Sequence, residues 1–415
     1  MSVSPLSVSA VPHSHKVAIV GACTAGMAAA LLLARAGHQV TLFEREAEAA
    51  PVGAGLLLQP TGVQVLERLG LAAAIRERGA RVDRLLGTTP GGRTVLDLRY
   101  ADLAPDLHGI GIHRASLADT LRRAVQAERI ALRAGAEVGR VEQDGGGVQV
   151  RLRAGGAVER FDLAVIADGT FSQLRSQIAI PHEIGVYPWG AWWAILPDPE
   201  RRYQGVLRQT YRRASRMLGI MPVGRLPAPV TDPTPYVTLF WSVRRADEAA
   251  LRARGLAAWQ DEVVALAPDA APLVAHVTRF EQLIFATYAD VRMTPWHHDR
   301  VVVIGDAAHA TSPQLGQGAN LALIDALVLA QCMAAQSDAP AALAAYSAAR
   351  RAHLGYYQWA SSVLTPVFQS DARLLPFLRD QLLGIACRLP GVRGQMLATL
   401  TGSKAGILWG RLAPG

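Results

Sequence analysis

One strand–turn–helix–strand unit near the start of the chain fixes the class of fold. Residues 15–20 form a short β-branched run that breaks at once into a turn holding Gly21, Ala25 and Gly26. An Ala/Leu-rich helical stretch, 27–36, follows and is stopped by Gly37. A second run, 39–43, then ends at Glu44 and Arg45. Two such strands joined through a helix lie parallel, so the unit belongs in a parallel sheet. The turn aims backbone N–H groups and the positive helix end at a pyrophosphate, while Glu44 is placed to accept from a ribose hydroxyl. Cys23 stands where such turns usually carry a second glycine. It reads as a small residue packed under the ligand rather than as a reactive thiol.

Two later stretches have the same strand-to-turn character. A buried-type run at 161–166 leads into Ala167, Asp168 and Gly169, with Ser172 and Arg175 just beyond. The run 301–304 leads into Gly305, Asp306 and His309, then Pro313, then Gly316, Gln317, Gly318, Ala319 and Asn320, which open a helix through 335. Between these landmarks, Gly53–Gly55 precedes an amphipathic helix, and 82–99 reads as a strand pair turned at Pro90-Gly91-Gly92. Ile112-His113-Arg114 precedes a helix at 116–127, for which Ser116 is the expected N-cap. Strands at 137–141 and 148–152 form a small meander. From 181 to 280 tryptophans cluster (Trp189, Trp192, Trp193, Trp241), and alternating runs such as 236–243 predict a second, mostly antiparallel sheet. The remainder, to about residue 400, is helical. The expected fold is therefore mixed α/β: a Rossmann-like domain from 14–80, 106–178 and 285–335, a substrate domain from 81–105 and 179–284, and a helical C-terminal region at 336–415. Residues 1–13 read as a loose tail.

The 415 residues are 50% apolar and 18% charged, a globular composition with room for two or three domains. No apolar run reaches the roughly 18–20 residues that span a bilayer, because Arg35, Asp306 and Asp325 interrupt the longest ones. Cys23, Cys332 and Cys387 lack metal-site spacing, so no metal is expected, and three cysteines suit a reducing cytoplasm. The net charge is +8, but 40 of the 42 basic residues are arginines scattered along the chain, so a nucleic-acid partner is not expected.

The combination resembles the single-component flavin monooxygenases of the aromatic-hydroxylase type, such as the salicylate and para-hydroxybenzoate hydroxylases, over nearly the whole chain. The resemblance implies that Gly21 to Glu44 hold the ADP part of FAD and that Asp168, Gly169 and Arg175 lie near FAD and the nicotinamide cofactor. It implies that Gly305 to Asn320 wrap the ribitol and flavin ring. Arg114 matches an FAD-contacting arginine, Val138 a backbone contact to adenine, and Gly55 a segment beside the ring. The implied reaction consumes NADH or NADPH and O2, with a flavin hydroperoxide passing oxygen to an aromatic or conjugated small molecule. The nicotinamide cofactor docks transiently, since the chain has no second glycine-bearing dinucleotide unit.

The substrate pocket is expected between the tryptophan-rich sheet and the flavin, with Tyr203, Gln209, Tyr211 and Trp241 as lining candidates, each also readable as an ordinary core residue. No acid/base dyad stands out, and His309 reads as structural. Three alternatives share the scaffold. One is a flavin halogenase, which residues 189–197 superficially resemble although the spacing differs and the needed lysine is missing. The others are an epoxidase or N-oxidase of a lipophilic metabolite, and an FAD-binding protein without turnover. Residues 364–382 resemble the tails of hydroxylases acting on polyprenylated quinone precursors. That raises a loose membrane-surface contact beside the plainer reading of a helical cap. A monomer or homodimer is expected.

Overall fold

The computed structural model describes residues 14–48, 53–227, 233–406 and 410; the expected tail at 1–13 lies outside them. Its first sheet has six strands in the order His297–His298, Val301–Val303, Leu163–Ile166, Lys16–Val20, Gln39–Phe43 and Ala131–Arg133. All neighbours run parallel except the edge pair His297–His298 with Val301–Val303. The central strands are continuous Val/Ile/Leu/Ala runs because both faces are covered, as parallel sheets require. Val20 pairs with Ile166 and Phe43, and Ile166 pairs with Val303, so four carboxyl ends stop at one level.

Three local expectations are corrected. Helix Thr24–Arg35 begins earlier than 27, directly out of the turn, with Cys23 at its N-cap. Ser116 is not a cap: His113 Nδ1 accepts from Ala115 N at 3.1 Å, while Ser116 is buried inside helix Arg114–Ala127 and donates to the Arg225 carbonyl. The run 161–166 splits at Asp162. Glu159–Phe161 pairs with Val148–Leu152 in a three-stranded antiparallel sheet, and Leu163–Ile166 enters the parallel one. Asp162 marks the switch by accepting from Lys16 N at 2.6 Å.

The other large sheet has nine strands, mostly antiparallel, in the order Ile284–Met293, His182–Pro197, Tyr236–Arg244, Arg216–Gly224, Gly205–Arg212, Ala80–Thr88, Gly109–His113 and Gly55–Leu58, with Thr94–Arg99 paired to Ala80–Thr88. Its parallel pair is Gly205–Arg212 with Ala80–Thr88. Gly55–Leu58, Gly109–His113 and Ile284–Met293 join this sheet although their segments were expected in the first domain. One face packs on helices Gly255–Leu266 and Ala271–Val274 around Trp192, Leu239, Trp241 and Val263. At one end the opposite face meets helix Pro390–Leu400 through Leu57, Met221 and Leu397. Each such buried side chain contributes about 1.5–3 kcal/mol over exposure.

Helix Gly318–Ala335 is, by length and composition alone, apolar enough to cross a membrane, although Asp325 interrupts its apolar run as the sequence indicates. It packs against helices Thr24–Arg35 and Ala339–Phe368, and Asp325 in its middle is fully buried in charged contacts. That is the position of a core helix.

Candidate functional site

The site begins where the parallel strands end. Gly21 adopts φ +103° and donates to the Phe43 carbonyl at 2.8 Å. A side chain here would be strained and would also press on the Ala167 carbonyl. Glu44 is fixed rather than free: its two oxygens accept from Ala22 N at 2.8 Å and Glu46 N at 3.0 Å. The Glu44 carbonyl accepts from Ala136 N at 2.8 Å, which brings Val138 to the acid's end of the cleft. Arg45 beside it is exposed and paired with Glu46. The Cys23 thiol donates to the Ala167 carbonyl at 3.1 Å, and burial pushes its pKa up, so it packs as a neutral group. Asp306 and Arg114 both bear electrostatically on Cys23. Residues far apart in sequence therefore surround this turn.

Asp168 follows the next strand. Burial raises its carboxyl above the usual range against the pull of Ser172 and Arg175, and Oδ1 is buried without a partner. Arg175 is wholly buried and donates to the Ala307 carbonyl at 2.5 Å and the Thr170 carbonyl at 3.0 Å. It clamps the second segment to the third, beside the cleft in which the resemblance places it.

The third turn is held from behind. Gly305 has φ 62° and ψ −147°, and a Cβ there would lie 2.9 Å from the Ala25 side chain. Gly305 N donates to Asp325 at 2.9 Å, His309 Nε2 lies 2.5 Å from the same oxygen, and Arg350 Nε donates to the other at 2.7 Å. Burial pushes the Asp325 carboxyl up, but His309 and Arg350 outweigh it and hold the group well below the usual range. His309 is thus committed to the turn. Sequence reading missed Asp325, Arg350 and His353; its one hint was a lone acid in an apolar helix.

Asp306 is exposed, and a Cβ on Gly318 would lie 3.5 Å from its carboxylate. Pro313 starts a short 3-10 turn, Gly316 is left-handed, and Gly318, Ala319 and Asn320 are the first residues of an 18-residue helix. Their N–H groups have no intrahelical acceptors. The side chains of Gln317 and Asn320 turn inward: Gln317 donates to the Leu400 carbonyl at 2.6 Å, and Asn320 donates to Leu57 O and accepts from Gln59 N. Gln317 Oε1 stays buried without a partner, while the Asn320 amide is engaged on both sides. Arg114 is exposed, and its N–H donates to Ala54 O at 3.1 Å.

The four pocket candidates divide by sheet face. Gly55 N donates to Thr238 Oγ1 at 3.2 Å, so the Thr238 face borders the strand that Asn320 holds. Gln209 pairs across to Gly219, and Gly219 to Phe240, on that face. Tyr211 lies there too, with its hydroxyl donating to Gln209 Oε1 at 2.8 Å. Tyr203 and Trp241 belong to the core on the other face, against helix Gly255–Leu266. Strand parity sets Trp241 on that face, and Tyr203 joins the same core from the turn ahead of strand Gly205–Arg212.

The residues fit FAD. Three acids suit ribose and ribitol hydroxyls, exposed arginines and two helix starts suit a pyrophosphate, and a Cβ on Gly316 or Gly169 would meet only open space. A family described as FAD binding domain matches residues 14–355. Kynurenine 3-monooxygenase of Salinispora arenicola (strain CNS-205) is 32% identical over 82% of this chain and 77% of its own. 6-Methylpretetramide 4-monooxygenase of Streptomyces rimosus is 30% identical over 75% and 73%. In fold, Klebsiella pneumoniae HpxO complexed with FAD and uric acid aligns with a TM-score of 0.78 over 94% of this chain and 98% of that one, at 22% identity. The chain therefore belongs to the FAD-binding-domain family of flavin-dependent monooxygenases.

Proposed function

We propose that this protein is an FAD-dependent monooxygenase that takes electrons from NADH or NADPH and uses O2 to hydroxylate an aromatic or conjugated small molecule. The carrying observation is the alignment of the strand ends at Val20, Phe43, Ile166 and Val303, which gathers Glu44, Asp168 and Asp306 beside the start of helix Gly318–Ala335. Bound FAD supplies the electron transfer and the activation of oxygen. The chain supplies position and field. The N–H groups of Gly318 to Asn320 and the positive helix end favour negative charge where the flavin ring would lie. Glu44 and Asp306 grip hydroxyls, while Gly21, Ala25, Gly26 and Arg114 serve the pyrophosphate.

In this reading the parallel sheet holds the cofactor and the nine-stranded sheet holds the substrate. Gln209 is the side chain best placed to orient it: Tyr211 occupies its oxygen and Met217 Sδ accepts one amide N–H at 3.7 Å, which leaves the second N–H for a carbonyl or phenolic oxygen. The relatives' names, among them 6-hydroxynicotinate 3-monooxygenase of Pseudomonas fluorescens, support an aromatic substrate. Free thiols at Cys23, Cys332 and Cys387 support a reducing, cytoplasmic setting, and a monomer or homodimer remains the expected state.

Substrate-stimulated NAD(P)H consumption across phenols, N-heteroaromatics and prenylated rings tests the proposal. Purified protein should be yellow, and the product should gain one oxygen atom. Colourless protein that takes up no FAD contradicts it, as does halogenated product formed with chloride or bromide.

A further inference from the structure

Ten of the fifteen large apolar side chains exposed among the described residues fall between residues 359 and 392. Helix Leu374–Ala386 carries most of them and has two distinct faces. One face docks on the protein. Leu383 and Cys387 join the core beside Leu96 and Leu98, Gly384 lies against the Thr94 backbone, and buried Arg379 donates to the Val367 and Arg213 carbonyls. The other face presents Leu374, Phe377, Leu378, Leu382 and Ile385, continued by Leu389, each between 41% and 67% exposed. Spacings of three and four residues set them in one stripe, on the order of 20 Å long. A contiguous exposed apolar surface of this kind marks an interaction site.

The charges around the stripe say what it meets. Arg373 and Arg388 stand exposed at its two ends. A groove of about 470 Å³ beside Leu374 and Phe377 is lined by Arg213 and Arg373, and an adjoining one adds Arg244. The nearby acids are already engaged, Asp371 with Arg244 and Asp380 with Arg379. A two-fold contact with a second copy along the stripe would bring the arginines at its two ends, Arg373 and Arg388, against each other, which costs energy on both sides. An anionic surface with an apolar interior is complementary to both features.

We propose that helix Leu374–Ala386 seats the protein on an anionic phospholipid surface, with the apolar stripe in the acyl boundary and Arg213, Arg373 and Arg388 against headgroup phosphates. Arg379 of this helix stacks on the ring of Tyr211, 4.7 Å away, so the membrane contact lies beside the substrate-facing part of the sheet.

The test is vesicle flotation of the full-length, FAD-loaded protein with phosphatidylcholine alone and with added phosphatidylglycerol. The protein should float with the anionic vesicles and much less with the neutral ones, and high salt should weaken the binding. Leu382→Ser and Ile385→Ser should each reduce vesicle partition by roughly tenfold, and Arg373→Glu with Arg388→Glu should abolish the preference for anionic lipid. Circular dichroism and flavin content should stay unchanged in these exposed-site variants. Absence of flotation with anionic vesicles would overturn the proposal. So would sedimentation showing a dimer that these same substitutions dissociate.

Discussion

Arg175 and Ala307, 132 positions apart in sequence, are joined by a 2.5 Å hydrogen bond from the guanidinium Nη1 to the carbonyl oxygen. The same guanidinium holds the Thr170 carbonyl at 3.0 Å, so one buried side chain sets the spacing between the loops that present Asp168 and Asp306. Arg175→Lys keeps the charge but lacks the planar fork needed for both acceptors. It should weaken FAD binding by roughly tenfold and cost about 1–3 kcal/mol of stability, read by flavin titration and thermal melting. Unchanged affinity would mean that the clamp does not shape the cofactor site.

Glu44 is braced by two backbone N–H groups at the end of its strand. Charged hydrogen bonds of this kind contribute about 1.5–3 kcal/mol. Glu44→Gln removes the charge and leaves one N–H poorly matched, so the FAD dissociation constant should rise roughly tenfold with little change in far-ultraviolet circular dichroism. An unaltered constant would remove Glu44 from the site.

Much of this arrangement is legible in the sequence because it is local. Strand Gln39–Phe43 has the bounds its β-branched run predicts, and each glycine turn falls where a buried run stops. Sheet parity is different. Gln209 and Tyr211 lie on the sheet face shared with Thr238 while Trp241 faces helix Gly255–Leu266, and nothing in alternation alone says which face is which. Long-range pairing is equally hidden. Asp325 reads as an interruption in an apolar helix until Arg350 and His309 are seen around it. Ser116 has the chemistry of a cap, yet His113, placed by its strand, takes that role.

Stability should depend on pH through buried imidazoles. His353 Nδ1 lies 2.7 Å from Arg350 and Nε2 donates to the Gly402 carbonyl, and burial together with Arg350 lowers its pKa from 6.5 to about 3. Burial also lowers His38, from 6.5 to about 4. Between these values and 6.5 the unfolded chain binds the extra protons, so stability is full above about 6.5 and falls as pH drops toward 4. Asp325, with its depressed carboxyl, contributes stability that is present above its unfolded value and lost only at lower pH. The melting temperature should therefore be flat near neutrality and decline below about 6.5, and His353→Gln should flatten that decline. A melting temperature that rises on acidification would contradict the buried neutral imidazoles.

The two sheet faces predict opposite phenotypes. Gln209→Ala should raise KM for the substrate or uncouple NAD(P)H consumption from product by roughly tenfold, with little loss of stability. Trp241→Phe should cost about 1–3 kcal/mol in the core and leave KM near the parent value. The reverse pattern would place the pocket on the helix-covered face.

A crystal structure of the protein grown with FAD would locate the cofactor. One dinucleotide should lie along the strand ends, its pyrophosphate at Gly21 to Gly26, its hydroxyls on Glu44 and Asp306, and its ring beside Gly316 to Asn320. Density for the flavin elsewhere, or strand ends closed to it, would rule out this cofactor cleft.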